Sequence, residues 1–291
     1  MQIEQLRKPG VWYFTDGMTA PEAAAFAVRV EELGYSALWL PETTGRDPFA
    51  HIAFLATQTS TLVFATGIAS IFHRHAGPMK QAAMTLAEQT GDRFVLGLGV
   101  SHQVMVEGVR KLDYSRPLSQ MRDYLALMDE SRYSAVASAD PPPRLLAALG
   151  PKMLELAATA ADGAHPYFST PEHTAIARDV LGPDKFLCVE QKVVVTTDAT
   201  AARAAATASV SGYASLPNYR NNWLRLGYTE DEIESRAERF LDAVVAWGDQ
   251  SAVRARVDAH YDAGADHVCI QPLPTEGRGL DLHALEALAP G

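Results

Sequence analysis

Ser101 and His102 stand at the end of an apolar run, Phe94 to Val100, and are well placed to do chemistry. A hydroxyl beside an imidazole can move a proton near neutral pH. The run is broken only by Gly97 and Gly99, so it reads as a strand buried on both faces; a half-exposed strand would alternate. The two glycines leave the backbone bare, so that another segment can pack closely against it. Gly-x-Gly after a strand is also half of a dinucleotide fingerprint, but the third glycine of that motif would fall at His102, which argues against that site.

Other candidates stand at similar strand ends. Leu149-Gly150-Pro151-Lys152 joins a strand to a helix start, with proline at the first helical position and Met153 following. Free amides there can hold an anion such as phosphate, and Lys152 adds charge. An ordinary strand-to-helix turn would use the same Gly-Pro. His165 before Pro166 reads either as a ligand contact or as a satisfied core histidine. His73-Arg74-His75 has histidines at metal-like spacing without a nearby carboxylate or cysteine partner, so no metal is expected. Arg74 is expected to meet an acidic cofactor tail or Glu88.

The elements that must position these residues repeat one pattern: helix, glycine, a few residues, strand. Gly34, Gly91, Gly163 and Gly264 each close such a unit. Strand candidates fall at 11–14, 37–40, 62–69, 94–101, 144–149, 164–168, 186–195 and 267–273, with helical patterns between them. Alternating β and α implies a parallel sheet. Eight units over 291 residues fit an α/β fold of the (β/α)8 barrel type, in which strand C-termini carry the working residues. An open doubly wound sheet is the alternative. The proline-rich 135–143 reads as a surface loop. Residues 212–247 read as an insertion between the seventh and eighth strands, aromatic and polar at first, then helical through Trp247. No linker marks a boundary, so 1–291 reads as one domain.

The formal net charge is −10, which argues against nucleic acid or an anionic membrane as partner. Cys188 and Cys269 lie far apart in apolar runs and read as reduced core residues of a cytoplasmic protein. No signal core and no run long enough to span a membrane is present.

TGIASIFHRHAGPMKQAAMTLAEQTGDRFVLGLGVSH resembles the bacterial luciferase-like family, and within it the coenzyme F420-dependent oxidoreductases of actinobacteria. DGAHPYFSTPEHT and LPNYRNNWLRLGYT extend the resemblance over nearly the whole chain. The resemblance implies a TIM barrel, a homodimer and a small-molecule substrate. It implies a non-prolyl cis peptide at Gly67–Ile68 beneath the ring of a deazaflavin, with Ala69 and Ser70 beside it. It implies that Glu42, Ser70, Val100 and Ser101 meet the ring's edges and that Gly150 to Met153 bind the phosphate; His165 is taken with them as a cofactor contact. His102 takes the position of an acid-base side chain, and Glu42 is the other catalytic candidate. Many members end the second strand with Asp-His or Glu-His; this chain has Glu42-Thr43, which raises the weight on His102. A rim of Trp12, Phe14, Phe72, Tyr167, Tyr219 and Trp223 suggests a planar, fairly apolar substrate, unless those rings are core. The expected cofactor is F420 with hydride chemistry. The rivals are FMN with monooxygenase chemistry and a cofactor-binding protein without turnover.

Overall fold

The computed structural model describes residues 6–277 and 279–290. Its strands are β1 (Gly10–Trp12), β2 (Ala37–Leu40), β3 (Val63–Thr66), β4 (Ala69–Ser70), β5 (Phe94–Gly99), β6 (Arg144–Leu146), β7 (Gly163–Ala164), β8 (Phe186–Val195), β9 (Val245–Gly248) and β10 (His267–Pro272). The helices between them are α1 (Ala20–Glu32), α2 (Pro48–Ala56), α3 (Ala76–Gln89), α4 (Pro117–Glu130), α5 (Pro151–Ala160) and α6 (Pro171–Leu181). Then follow α7 (Ala199–Ser211), α8 (Pro217–Arg225), α9 (Glu230–Ser235), α10 (Glu238–Val244), α11 (Gln250–Asp262) and α12 (Leu282–Ala287). A π-helical turn, Val104–Val109, follows β5.

Local chemistry sets where the helices start. Thr19 and Glu22 form a reciprocal capping box on α1, and Asp47 and Asp249 cap α2 and α11 through their carboxylates. Each such cap satisfies amides that the first helical turn leaves unpaired.

The strands pair in parallel in the order β1, β2, β3, β5, β6, β7, β8, and β10 then closes on both β8 and β1. His267 lies opposite Cys188, and Gly10 opposite Cys269. The result is a (β/α)8 barrel, and the open doubly wound alternative is excluded by that closure. Alternate residues of each strand face opposite ways. Val11, Leu38, Phe64, Leu96 and Val189 pack with the helices; Trp12, Trp39, Ala65, Val95, Cys188 and Cys269 fill the barrel. Both cysteines are free and buried.

Two strand expectations change. The third candidate, 62–69, divides into β3 and β4 around a cis peptide at Gly67–Ile68. Val245–Gly248, expected as the end of a helical segment reaching Trp247, is instead β9. It pairs with Lys192–Val195 of β8, on the edge that β7 leaves free beyond Leu187. Val245-Ala246-Trp247 is compatible with a strand, because β-branched and aromatic side chains fit a pleated surface.

The bare glycines of β5 receive the kinked third strand. A Cβ on Gly97 would lie 1.9 Å from the carbonyl oxygen of Thr66, and one on Gly99 would lie 2.5 Å from Ile68. Gly97→Ala should therefore lower the free energy of unfolding by about 1–3 kcal/mol, as overpacking does. Gly17→Ala, where nothing lies within 4 Å, should change it little. Urea titrations of the two variants check this, and equal stability would contradict the close approach.

Candidate active site

The C-terminal ends of the strands surround a cavity of about 620 Å³, within the range of small-molecule and cofactor sites. Trp12 comes from the end of β1 and Phe14 from beyond it, Glu42 from beyond β2, and Gly67 and Ile68 from the kink. Val100, Ser101 and His102 come from beyond β5, Gly150 and Met153 from the start of α5, and His165 and Tyr167 from beyond β7. Tyr219 of α8 completes the set of expected residues on the wall.

The remaining expected residues lie off it. Ala69 and Ser70 are fully buried behind the kink. Pro151 and Lys152 are exposed on the first turn of α5. Phe72 packs its ring 5.7 Å from Tyr114, which does line the cavity. Trp223 is core: it is fully buried between Phe168, Tyr219 and Phe240. Its place at the end of α8, facing inward against α10, is what removes it from the rim.

The kink is held from several directions. Trp12 Nε1 donates to the Gly67 carbonyl at 3.0 Å, Gly67 N–H donates to Leu40 O at 2.8 Å, and Glu42 N–H donates to Ile68 O at 3.1 Å. A Cβ on Gly67 would lie 2.6 Å from Trp12 Nε1 and 3.3 Å from His165 Nε2, so only glycine leaves this backbone open to the cavity.

His165 is fully buried, with its ring stacked on Trp39 at 4.1 Å. Its Nδ1 lies 2.9 Å from Cys188 O. A carbonyl only accepts, so Nδ1 carries the hydrogen and Nε2 keeps a lone pair. Burial pulls the imidazole down to about 4 against that hydrogen bond, so it is neutral. Nε2 has no partner in the protein and flanks Gly67 on the cavity wall. The ring is thus satisfied at one nitrogen and open to a donor at the other.

Glu42 is committed to its neighbours. Arg74 Nη1 lies 2.6 Å from Oε1, Ser70 N–H donates to Oε2 at 2.8 Å, and His73 Nδ1 lies 3.2 Å from Oε2. Burial opposes the charge, but His73, Ser70 and Arg74 outweigh it and hold the carboxyl below its ordinary value. An ionised carboxylate with those partners supports the kink better than it carries protons. Arg74 also pairs with Asp47, so Glu42 and Asp47 take the place expected for Glu88 or a cofactor tail. His75 caps α3. No metal-holding cluster occurs among the described residues.

His102 follows Ser101, whose backbone is left-handed (φ 55°) and whose carbonyl accepts from Tyr114 at 3.1 Å. The His102 ring lies 5.6 Å from Tyr219. Burial lowers its pKa against an opposing hydrogen bond with Asn218, so the ring is neutral at physiological pH.

At the other end, Gly150 caps α5 without a side chain; Pro151 has no N–H and Met153 N–H donates to Gly150 O at 3.1 Å, so Lys152 carries the first-turn amide that no side chain caps. The cation on this wall is Arg225 of α8, not Lys152: its Nη2 lies 3.5 Å from Leu149 O. Asn218, Asn221 and Arg225 follow one another at i, i+3 and i+7 and all line the cavity, as one face of a helix does. That spacing after Pro217 was the available signal for them. Tyr213, from the turn after α7, lines the same region.

A closed parallel barrel with an open, apolar-walled cavity at its C-terminal mouth defines a class of ligand-binding α/β barrels. Comparison identifies the family: the luciferase-like monooxygenase model matches residues 5–267, and the chain belongs to that family. A Mycobacterium tuberculosis protein named for an inferred coenzyme F420-dependent oxidoreductase activity is 25% identical, covering 91% of this chain and 93% of its own. The coenzyme F420-dependent tetrahydromethanopterin reductase of Methanopyrus kandleri superposes with a TM-score of 0.73 at 15% identity, covering 98% of this chain and 97% of its own. The oxygenating constituent of 3,6-diketocamphane monooxygenase from Pseudomonas putida, bound to FMN, superposes with a TM-score of 0.68 at 14% identity, covering 97% and 96%.

The Glu42 cluster has a pH signature. Glu42→Gln should lower the free energy of unfolding by about 1–3 kcal/mol at neutral pH, the scale of hydrogen bonds to a charged group. The folded pKa is depressed, so this contribution is complete above the ordinary carboxylate range and is lost as pH falls through the folded value. Urea unfolding of wild type and variant should therefore converge in acid. A difference independent of pH would contradict the assignment.

Proposed function

We propose that the cavity holds the deazaflavin cofactor F420 and that the protein transfers a hydride between it and a small, fairly apolar organic substrate. The observation that carries this reading is the open backbone at Gly67–Ile68, flanked by the partnerless Nε2 of a neutral His165. That combination suits a flat heteroaromatic ring: bare backbone for its face and a lone pair for an N–H or O–H on its edge. The Mycobacterium tuberculosis relative, matched over 91% of this chain, bears an F420-linked name, whereas the barrel itself is shared by F420 and FMN proteins.

When bound, the deazaflavin supplies a carbon centre that gives or takes a hydride. The chain's own residues do the rest. Trp12, Leu40 and Glu42 hold the kink that supports the ring. Val100 and Ser101 border it. The start of α5, Gly150 through Met153 with the uncapped amide of Lys152, and Arg225 beside it bind the cofactor's phosphate. Trp12, Phe14 and Tyr219 exclude water from the substrate and favour an apolar one. His102, kept neutral by burial, exchanges a proton on the substrate's Tyr219 side.

Side-by-side titration with F420 and FMN tests the reading. F420 should bind at least about tenfold tighter, the equivalent of about 1.4 kcal/mol; tighter FMN binding would overturn it in favour of flavin monooxygenase chemistry. Arg225→Ala should weaken F420 about tenfold or more, with Lys152→Ala changing it far less; the reverse order would remove the assignment of Arg225. His102→Ala should lower turnover about 100-fold or more with F420 affinity kept. Unchanged turnover would remove its role.

A further inference from the structure

A buried ion pair lies behind the cavity wall, on β8. Glu190 and Lys192 are two residues apart, face the barrel interior, and are both 0% exposed. Lys192 Nζ donates to Tyr167 Oη at 2.6 Å and to Gln271 Oε1 at 2.6 Å, and it reaches Glu190 Oε1 at 3.4 Å. The other oxygen of Glu190 accepts from Phe168 N–H at 2.7 Å. Tyr167, Phe168 and Tyr213 present their rings to the ammonium at 4.2, 4.5 and 5.2 Å. All three ammonium hydrogens are therefore spoken for, one of them on a phenol.

That phenol leads outward. Tyr167 Oη lies 2.9 Å from Tyr213 Oη, where either can donate, and 2.8 Å from Gln271 Oε1, to which it donates when Tyr213 donates to it. Both tyrosines line the cavity, while Lys192 does not. The contacts form one unbroken line: ammonium, phenol, phenol, cavity. A buried ion pair stabilises a fold weakly, since desolvation consumes most of the attraction. A pair kept only for packing would not need a hydrogen-bonded line to the ligand space.

We propose that Lys192 supplies and recovers a proton at the cavity wall through Tyr167 and Tyr213, serving the oxygen of a carbonyl or alcohol substrate bound to Tyr213. This deepens the oxidoreductase reading and rests on it, and for a carbonyl or alcohol substrate it assigns the single proton to Tyr213, leaving His102 to orient the substrate by a hydrogen bond. In reduction, the carbonyl carbon would take the hydride that a bound, reduced deazaflavin supplies. The π pair of the C=O bond moves to oxygen, which takes the Tyr213 proton. Tyr167 refills Tyr213, Lys192 refills Tyr167, and once product leaves the amine regains its proton back along the two tyrosines from water in the cavity. In oxidation each transfer reverses: the C–H bond breaks with its electron pair leaving to the oxidised ring, and the O–H proton passes inward to the Lys192 amine. Lys192 acts through the tyrosines and is a positioning residue; Tyr213 is the group that touches substrate.

The surroundings set when Lys192 is charged. Glu190 faces it from its own strand, Tyr167 from beyond β7, Tyr213 from the turn after α7, and Gln271 and Cys269 from β10. Burial brings the ammonium down to about 8, against the opposing pull of Glu190. Both protonation states are therefore within reach near neutral pH.

The test uses F420-loaded protein and 4-nitrophenol, a phenol whose colour reports whether its oxygen is protonated. The bound phenol should ionise about one pH unit or more lower in wild type than in Lys192→Met, the size of shift that a nearby opposite charge produces. Glu190→Gln, which leaves the cation and removes its anion, should move the ionisation lower still and serves if Lys192→Met does not fold. Tyr213→Phe should abolish the sensitivity to both changes. Equal ionisation in wild type and both charge variants would overturn the proposal, as would failure of 4-nitrophenol to bind. Failure of F420 to bind would strike the oxidoreductase reading instead, and the titration of cofactor-free protein would still read the chain.

Discussion

The site depends on one close approach. The end of β3 turns at Gly67–Ile68 and lies against β5, where Gly97 meets the Thr66 carbonyl and Gly99 meets Ile68. Side chains on either glycine would push the kink out of the barrel mouth. The same displacement would break the Trp12 bond to Gly67 O and move Gly67 from His165. The packing of two backbones thus sets the geometry of a ligand surface several residues away, because a barrel interior transmits displacement with little slack.

Around that contact the protein places two buried carboxylates with opposite tasks. Glu42 is paired with Arg74, receives the Ser70 N–H and stays ionised below its ordinary range. It anchors the kink. Glu190 is fully buried and its carboxyl is pushed up by burial, with Lys192 and the Phe168 amide opposing. A carboxylate in that state adjusts with its partner's charge rather than fixing it. Environment, more than residue type, sets the two carboxyls apart.

Much of the barrel was legible in the sequence because helix caps, glycine stops and buried apolar runs are local signals. Gly34, Gly91 and Gly264 close helices with positive φ as their positions suggest. β9 was not legible: Val245–Gly248 follows a helical segment directly, and only its pairing with β8 makes it a strand. The site shows the same division. Residues at strand ends, such as Glu42, His102 and His165, could be gathered by topology alone. Arg225 and Tyr213 reach the cavity from segments far along the chain, whereas Lys152 adjoins Gly150 in sequence and is the cation that sequence points to. Trp223 was read as rim because aromatic residues look alike in sequence whether they face a ligand or a neighbouring helix. Lys192 was hidden within an apolar strand, where nothing local announces that its partners are Tyr167 and Gln271.

The account's central claim is that a tricyclic redox ring rests on the kink after β3. Crystals of the protein soaked with F420 test it most directly. The account predicts difference density for the ring against Gly67–Ile68, within hydrogen-bond reach of His165 Nε2, with the phosphate at Gly150 and Arg225. Ring density elsewhere on the molecule, or an empty barrel mouth at saturating F420, would contradict it.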